Sequence, residues 1–171
     1  MTLEKIISGG QTGVDIAALK AAKICSIYTG GWMPRGFRTD EGNKPSYAKE
    51  YGMMAVSDRE YPTRTRMNIR SSCATLQIAA NFKSRGEKLT AAIVEELKKP
   101  TLPVRVDINT EPQEHESEKI AEWIMSEKIK ILNVAGNSES TCPGIEAWSF
   151  KLLSSCFGIL VNKSGIVIMK Y

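Results

Sequence analysis

Lys5-Ile6-Ile7-Ser8-Gly9-Gly10-Gln11-Thr12-Gly13-Val14-Asp15 runs from a short β-branched strand through a glycine-rich turn into a helix. Glycines permit positive φ and let a ligand approach the backbone, and the unpaired N–H groups of a helix start favour an anion. The main-chain amides of Gly10 to Gly13 are therefore the expected oxyanion receptor. Thr12 can offer its hydroxyl to a phosphate or ribose, and Asp15 can bind a sugar hydroxyl or act on a proton. The plain alternative is a tight structural turn in which Asp15 complements the helix dipole. The turn has neither the G-x-x-x-x-G-K-[ST] spacing of a Walker A loop nor the G-x-G-x-x-G spacing of a dinucleotide site.

Outward from this turn, Val14, Ala17, Ala18, Ala21, Ala22 and Cys25 keep helical spacing, and so many alanines on one face predict close packing against a sheet. A second strand is expected within Ser26–Trp32. From Met33 to about Arg59, Pro34, Gly36, Gly42, Pro45 and Gly52 break the pattern into a long loop of the kind that carries function. Beyond it the spacing predicts a helix over 61–72, a strand over 74–79, a helix over 87–99 and a strand over 102–108. A helix after Gln113, a strand over 130–135 and a helix from Pro143 towards Cys156 follow. Ile159-Leu160-Val161 and Ile166-Val167-Ile168 around Lys163-Ser164-Gly165 read as a terminal hairpin within 158–171. Strand–helix alternation predicts an α/β domain whose mostly parallel sheet is flanked by helices on both faces, spanning residues 1–171. Ligands of such sheets bind outside the carboxyl ends of the strands.

Composition narrows the classes. The chain has 171 residues, 42% hydrophobic and 25% charged, which fits a globular domain with a real core. No apolar run reaches the roughly 20 residues of a membrane span, and Met1-Thr2-Leu3-Glu4-Lys5 does not read as a signal peptide, so the expected location is cytoplasmic. A net charge of +4 is too small to argue for nucleic acid, and 7% aromatic residues leave few stacking platforms. Cys25, Cys73, Cys142 and Cys156 lie far apart and His115 sits in an acidic stretch, so no protein-held metal site is expected; buried thiols and a solvated histidine are the reading. No G-x-S-x-G elbow is present.

Three further segments carry candidate chemistry. Ala135-Gly136-Asn137-Ser138-Glu139-Ser140-Thr141-Cys142-Pro143-Gly144 is a second strand-to-helix turn, where Gly136, Ser138 and Ser140 can hold a polar part of the same ligand. Its Glu139 is the carboxylate best placed to meet Asp15 across a crevice, although helix capping alone would explain Ser140 and Thr141. Arg59, Arg64, Arg66 and Arg70, with Asn68 among them and Arg35 and Arg38 in the long loop, form either a clamp for phosphate oxygens or a solvated helix face. Trp32 can stack on a planar ring or pack beneath the loop.

Ile7–Asp15, Gly31-Trp32-Met33-Pro34-Arg35-Gly36, Arg64–Arg70 and Leu132–Ser140 together resemble the molybdenum carrier family, a circularly permuted, YpsA-like branch of the SLOG superfamily. The resemblance runs in order from the first strand to about Phe157. It implies a Rossmann-like three-layer fold and a pocket for a nucleotide-like or phosphorylated small molecule, with molybdenum cofactor or a nucleotide as cargo, held without evident turnover. Relatives of this fold commonly form homo-oligomers. The chain is also distantly similar to Lonely Guy-type phosphoribohydrolases, which implies a second reading: a nucleotide N-glycosidic hydrolase using Asp15 or Glu139, with arginines holding the phosphate. Two segments depart from the family pattern. Gly86-Glu87-Lys88-Leu89-Thr90 stands where a G-G-T-x-L-T loop is usual, and Ser71-Ser72-Cys73 where D-S-D is usual.

Overall fold

β1 (Lys5–Ile7) pairs in parallel with β2 (Tyr28–Met33) on one side and β8 (Ile131–Gly136) on the other, so the glycine-rich turn leaves the middle of the sheet. The computed structural model describes residues 3–57 and 61–163. Beyond β2 lies the short edge strand β5 (Met53–Ala55); beyond β8 lie β6 (Ala74–Ala79) and the opposite edge, β7 (Thr101–Arg105). The six strands run β5-β2-β1-β8-β6-β7, and every pairing is parallel. Pro103, which has no N–H to give a ladder, falls in an edge strand.

Helix α1 (Val14–Ile24) packs on α6 (Ile145–Lys163), which also packs on α5 (Glu114–Ser126). Ala17, Ala18, Ala21 and Ala22 of α1 are fully buried, the close approach that their small side chains predict. These helices and the apolar side chains Ile6, Leu76, Ile78, Leu132 and Val134 form the main core. Helices α3 (Tyr61–Arg70) and α4 (Arg85–Glu96) pack on each other through Ile69, Ile93 and Val94 and cover the other face. On that side the strands present Thr75, Gln77 and Asn133, all buried and polar. The period-2 alternation of β6, Thr75 and Gln77 against Leu76 and Ile78, thus divides an oily layer from a hydrogen-bonding one. Expected three-layer architecture and observed fold agree.

Two expectations need correction. The stretch after Met33 is not one irregular loop: it holds an antiparallel ribbon of β3 (Arg38–Thr39) and β4 (Gly42–Asn43), then α2 (Tyr47–Tyr51), then β5. Phe37 and Tyr47 anchor it on Ile16, Leu19, Met33, Tyr51 and Met53. At the other end, Ile159–Val161 is not a strand but part of α6, because Leu160 and Val161 continue the buried stripe of Leu152, Leu153, Cys156 and Phe157. The remainder of the expected hairpin, 164–171, lies outside the described residues. Among the thiols, Cys25 and Cys156 are buried as expected, whereas Cys73 is exposed. No helix among the described residues is long and apolar enough to cross a membrane.

Candidate functional site

The strand order places α1 and α6, which follow β1 and β8, on one face and α4, which follows β6, on the other. Neighbouring strands β8 and β6 therefore send their chains apart, and a crevice opens at their carboxyl ends. A cavity of about 420 Å³ occupies it, lined by the turns after β1 and β8, by α3 and by the first turn of α4.

Asp15 and Arg64 form the centre. Arg64 Nη1 donates to Asp15 Oδ2 at 3.0 Å, with the two side chains only 14% and 4% exposed. Gln11 N donates to the same oxygen at 3.3 Å, and Ser8 Oγ donates to the Asp15 carbonyl at 3.0 Å. Gly9 is glycine because the guanidinium lies where its Cβ would be. Burial pushes the Asp15 carboxyl above its ordinary range, against the opposing pull of Arg64 and of the Gln11 and Gly9 amides. Arg64 also lies over the Tyr61 ring, 5.6 Å from its centroid.

The structure corrects the amide receptor in one respect. Gly10 N donates to Ser8 Oγ at 3.2 Å, Gln11 N to Asp15, and Thr12 N to Gln11 Oε1 at 2.8 Å. Side chains of the turn itself take the donors that the glycine pattern reserves for a ligand. Gly13 caps α1 at φ 79°, pressed on the backbone of Asn137 to Glu139, and Thr12 Oγ1 accepts from Glu139 N at 3.3 Å. Of this turn, Gln11 and Asp15 reach the cavity.

Glu139 is corrected too. Its carboxylate accepts from the Gly144 and Glu146 amides and so caps α6, without lining the cavity. Its negative charge is stabilised there by the helix start. Glu139→Ala will cost about 1–2 kcal/mol in a urea melt, as lost caps do, and leave ligand binding unchanged.

The buried carboxyl that does share the cavity with Asp15 is Glu87. It is 3% exposed and takes a 2.6 Å hydrogen bond from Gln77 Nε2. Desolvation, helped by the Asp15 charge, pushes its pKa up to about 7, against the pull of Gln77, Asn137 and Arg64. Residue 87 is the carboxylate by which Gly86–Thr90 departs from the family pattern, and that departure was its signal in the sequence. Arg85 and Thr90 line the same wall.

The arginines separate. Arg64 lines the cavity; Arg66 is exposed and forms a two-pronged pair with Glu96 at 2.6 and 2.8 Å, and exposed Arg70 stays outside the lining. Arg35 is exposed, Arg38 lies over Tyr61, and Arg59 falls outside the described residues. Trp32 does not line the cavity; Asn68 clamps its backbone, accepting from its N–H at 2.8 Å and donating to its carbonyl at 3.0 Å. Asn68, Gly136, Ser138 and Ser140 line the cavity. Asn137, which the motif reading did not single out, ties the strand ends together: its Oδ1 accepts from Ala80 and Asn81 amides, each at 3.0 Å. No group of three His, Cys, Asp or Glu among the described residues is arranged to hold a metal ion.

The fold and this crevice define a Rossmann-like α/β protein with a polar site at its strand ends. The chain belongs to the circularly permutated YpsA SLOG family, which it matches over residues 6–157. It is similar to the crystal structure, at 1.45 Å, of "Putative molybdenum carrier protein" from Syntrophus aciditrophicus SB: TM-score 0.81 and 34% identity over 91% of this chain and 95% of that one. No curated protein matches it.

Proposed function

We propose that the cavity binds a small phosphate-bearing molecule, a nucleotide or the phosphorylated pterin that carries molybdenum, and holds it without turnover. The observation that supports this reading is the convergence of Arg64, Arg85, the first turn of α4 and the hydroxyls of Ser138, Ser140 and Thr141 on one cavity. A helix start and two guanidinium groups suit oxyanions, and the size falls within the roughly 300–1,000 Å³ of small-molecule sites. The phosphate end thus shifts from the Gly10–Gly13 amides to α4, while Asp15 and Glu87 offer acceptors to the N–H groups of a heterocycle. The molybdenum carrier name of the similar structure agrees with a cargo carried on its organic ligand.

Calorimetry with a panel of nucleoside monophosphates and molybdopterin tests this. At least one ligand is expected to bind, at least tenfold more weakly to Arg85→Ala. No binding by any of them, together with no small molecule in native mass spectra of the purified protein, overturns the reading.

One observation favours the hydrolase alternative: two buried carboxyls, Asp15 and Glu87, line the cavity with Arg64. In that reading Asp15 stabilises the oxocarbenium-like ribose and the arginines hold the phosphate. Release of free base from a nucleoside monophosphate, abolished by Asp15→Asn, establishes it; no release across the panel removes it.

A further inference from the structure

The turn Asp40-Glu41 joins β3 to β4, and Asp40 lies at the mouth of the cavity. Its Oδ1 accepts from Gln11 Nε2 at 3.1 Å and its Oδ2 from Ser140 Oγ at 2.6 Å. Its amide donates to Gln11 Oε1 at 2.9 Å, the oxygen that also receives Thr12 N. One exposed carboxylate thus bridges the two turns that flank the crevice, held by neutral donors from each. Gln11 Nε2 reaches the Tyr61 hydroxyl as well, at 3.3 Å. Among the described residues, beyond these bonds and the Arg38 guanidinium over the Tyr61 ring, the β3–β4 ribbon packs extensively on no other strand or helix.

From this geometry we infer a second oxyanion subsite at the cavity mouth, built by Gln11 Nε2 and the Ser140 hydroxyl, in which the Asp40 carboxylate stands in for a phosphate or carboxylate group of the ligand. The inference rests on the binding reading above and extends it. A phosphate offers the same donors more oxygens and more charge than a carboxylate, so it competes for them on favourable terms. When Asp40 leaves, its amide releases Gln11 Oε1, which keeps the Thr12 N bond at 2.8 Å and so holds Nε2 in place for the ligand. Capture is therefore coupled to release of the β3–β4 ribbon, and the ligand class is an oxyanion-bearing molecule long enough to span from α4 to the β1 turn.

The test uses the full chain with inorganic phosphate and a nucleoside monophosphate as probes. Asp40→Asn removes the competing charge while preserving shape. It is expected to bind phosphate at least tenfold more tightly than the unsubstituted protein. In hydrogen exchange, phosphate is expected to deprotect the amides of residues 38–44 in the unsubstituted protein, and Asp40→Asn to show them deprotected without it. Equal or weaker phosphate binding by Asp40→Asn, with a ribbon indifferent to phosphate, overturns the subsite; if the monophosphate still binds and Arg85→Ala still weakens it, the cavity reading stands alone. Failure of both proteins to bind either probe overturns both.

Discussion

Arg64→Met will lose about 3–5 kcal/mol of stability, the usual cost of leaving one buried charge without its partner. The substitution keeps the length and apolar character of the stem but removes the guanidinium that meets Asp15 at 3.0 Å. Asp15 cannot turn to water, because its side chain is 4% exposed and its own turn encloses it through Gln11 N. The protein must then protonate Asp15, open the crevice or unfold. The double variant Asp15→Asn/Arg64→Met has no orphaned charge and will recover part of the loss, so the two changes will couple by more than about 1 kcal/mol in urea denaturation at pH 7. Binding of any nucleoside monophosphate will fall at least tenfold in both, because the guanidinium is absent from both. Equal losses in the single and double variants would mean that Arg64 acts as packing rather than as counter-charge.

The sheet was legible because its information is local. The β1 run, the alanine stripe of α1 and the amphipathic α4 each state their own structure, and alternation then forces a parallel sheet with its site at the strand ends. What failed were inferences about who occupies a donor. A glycine-rich turn advertises free amides, yet the acceptors that fill them, Ser8, Gln11 and Asp15, are polar residues of the same turn whose direction sequence spacing does not give. Glu139 illustrates the same limit: a carboxylate after a strand can face a crevice or turn back on the next helix, and here it turns back. Closeness in sequence put Arg64, Arg66 and Arg70 in one cluster, but residues two apart on a helix face different ways, and the rotation of α3 against β2 decides that the first points inward and the second meets Glu96. The short β5 was hidden because three residues, Met53-Met54-Ala55, are too few to show a period. Glu87 was visible as an oddity and became intelligible only beside Gln77, which lies ten residues earlier on the strand that α4 covers.

Glu87→Gln will stabilise the protein at pH 8 by about 3 kcal/mol and change it little at pH 4, since each unit of pKa shift is worth about 1.4 kcal/mol. Burial raises the Glu87 pKa from 4.5 to about 7, so the folded state retains a proton that the unfolded chain gives up earlier. Below pH 4.5 both states are protonated and the group contributes nothing. As pH rises through the interval to 7 the unfolded chain ionises first, and folding stability falls. Above 7 the loss is complete, because the folded protein then carries a buried carboxylate. Glutamine removes the titration but keeps an oxygen for the Gln77 donor at 2.6 Å, so the hydrogen bond survives the change. Denaturant titrations at pH 4, 6 and 8 will therefore diverge, the unsubstituted protein weakening with pH while Glu87→Gln lacks that component. Parallel profiles would place Glu87 in water and make the wall beside Asp15 wet, and the site would then present a solvated carboxylate instead of a group that is partly protonated at neutral pH and can donate as well as accept.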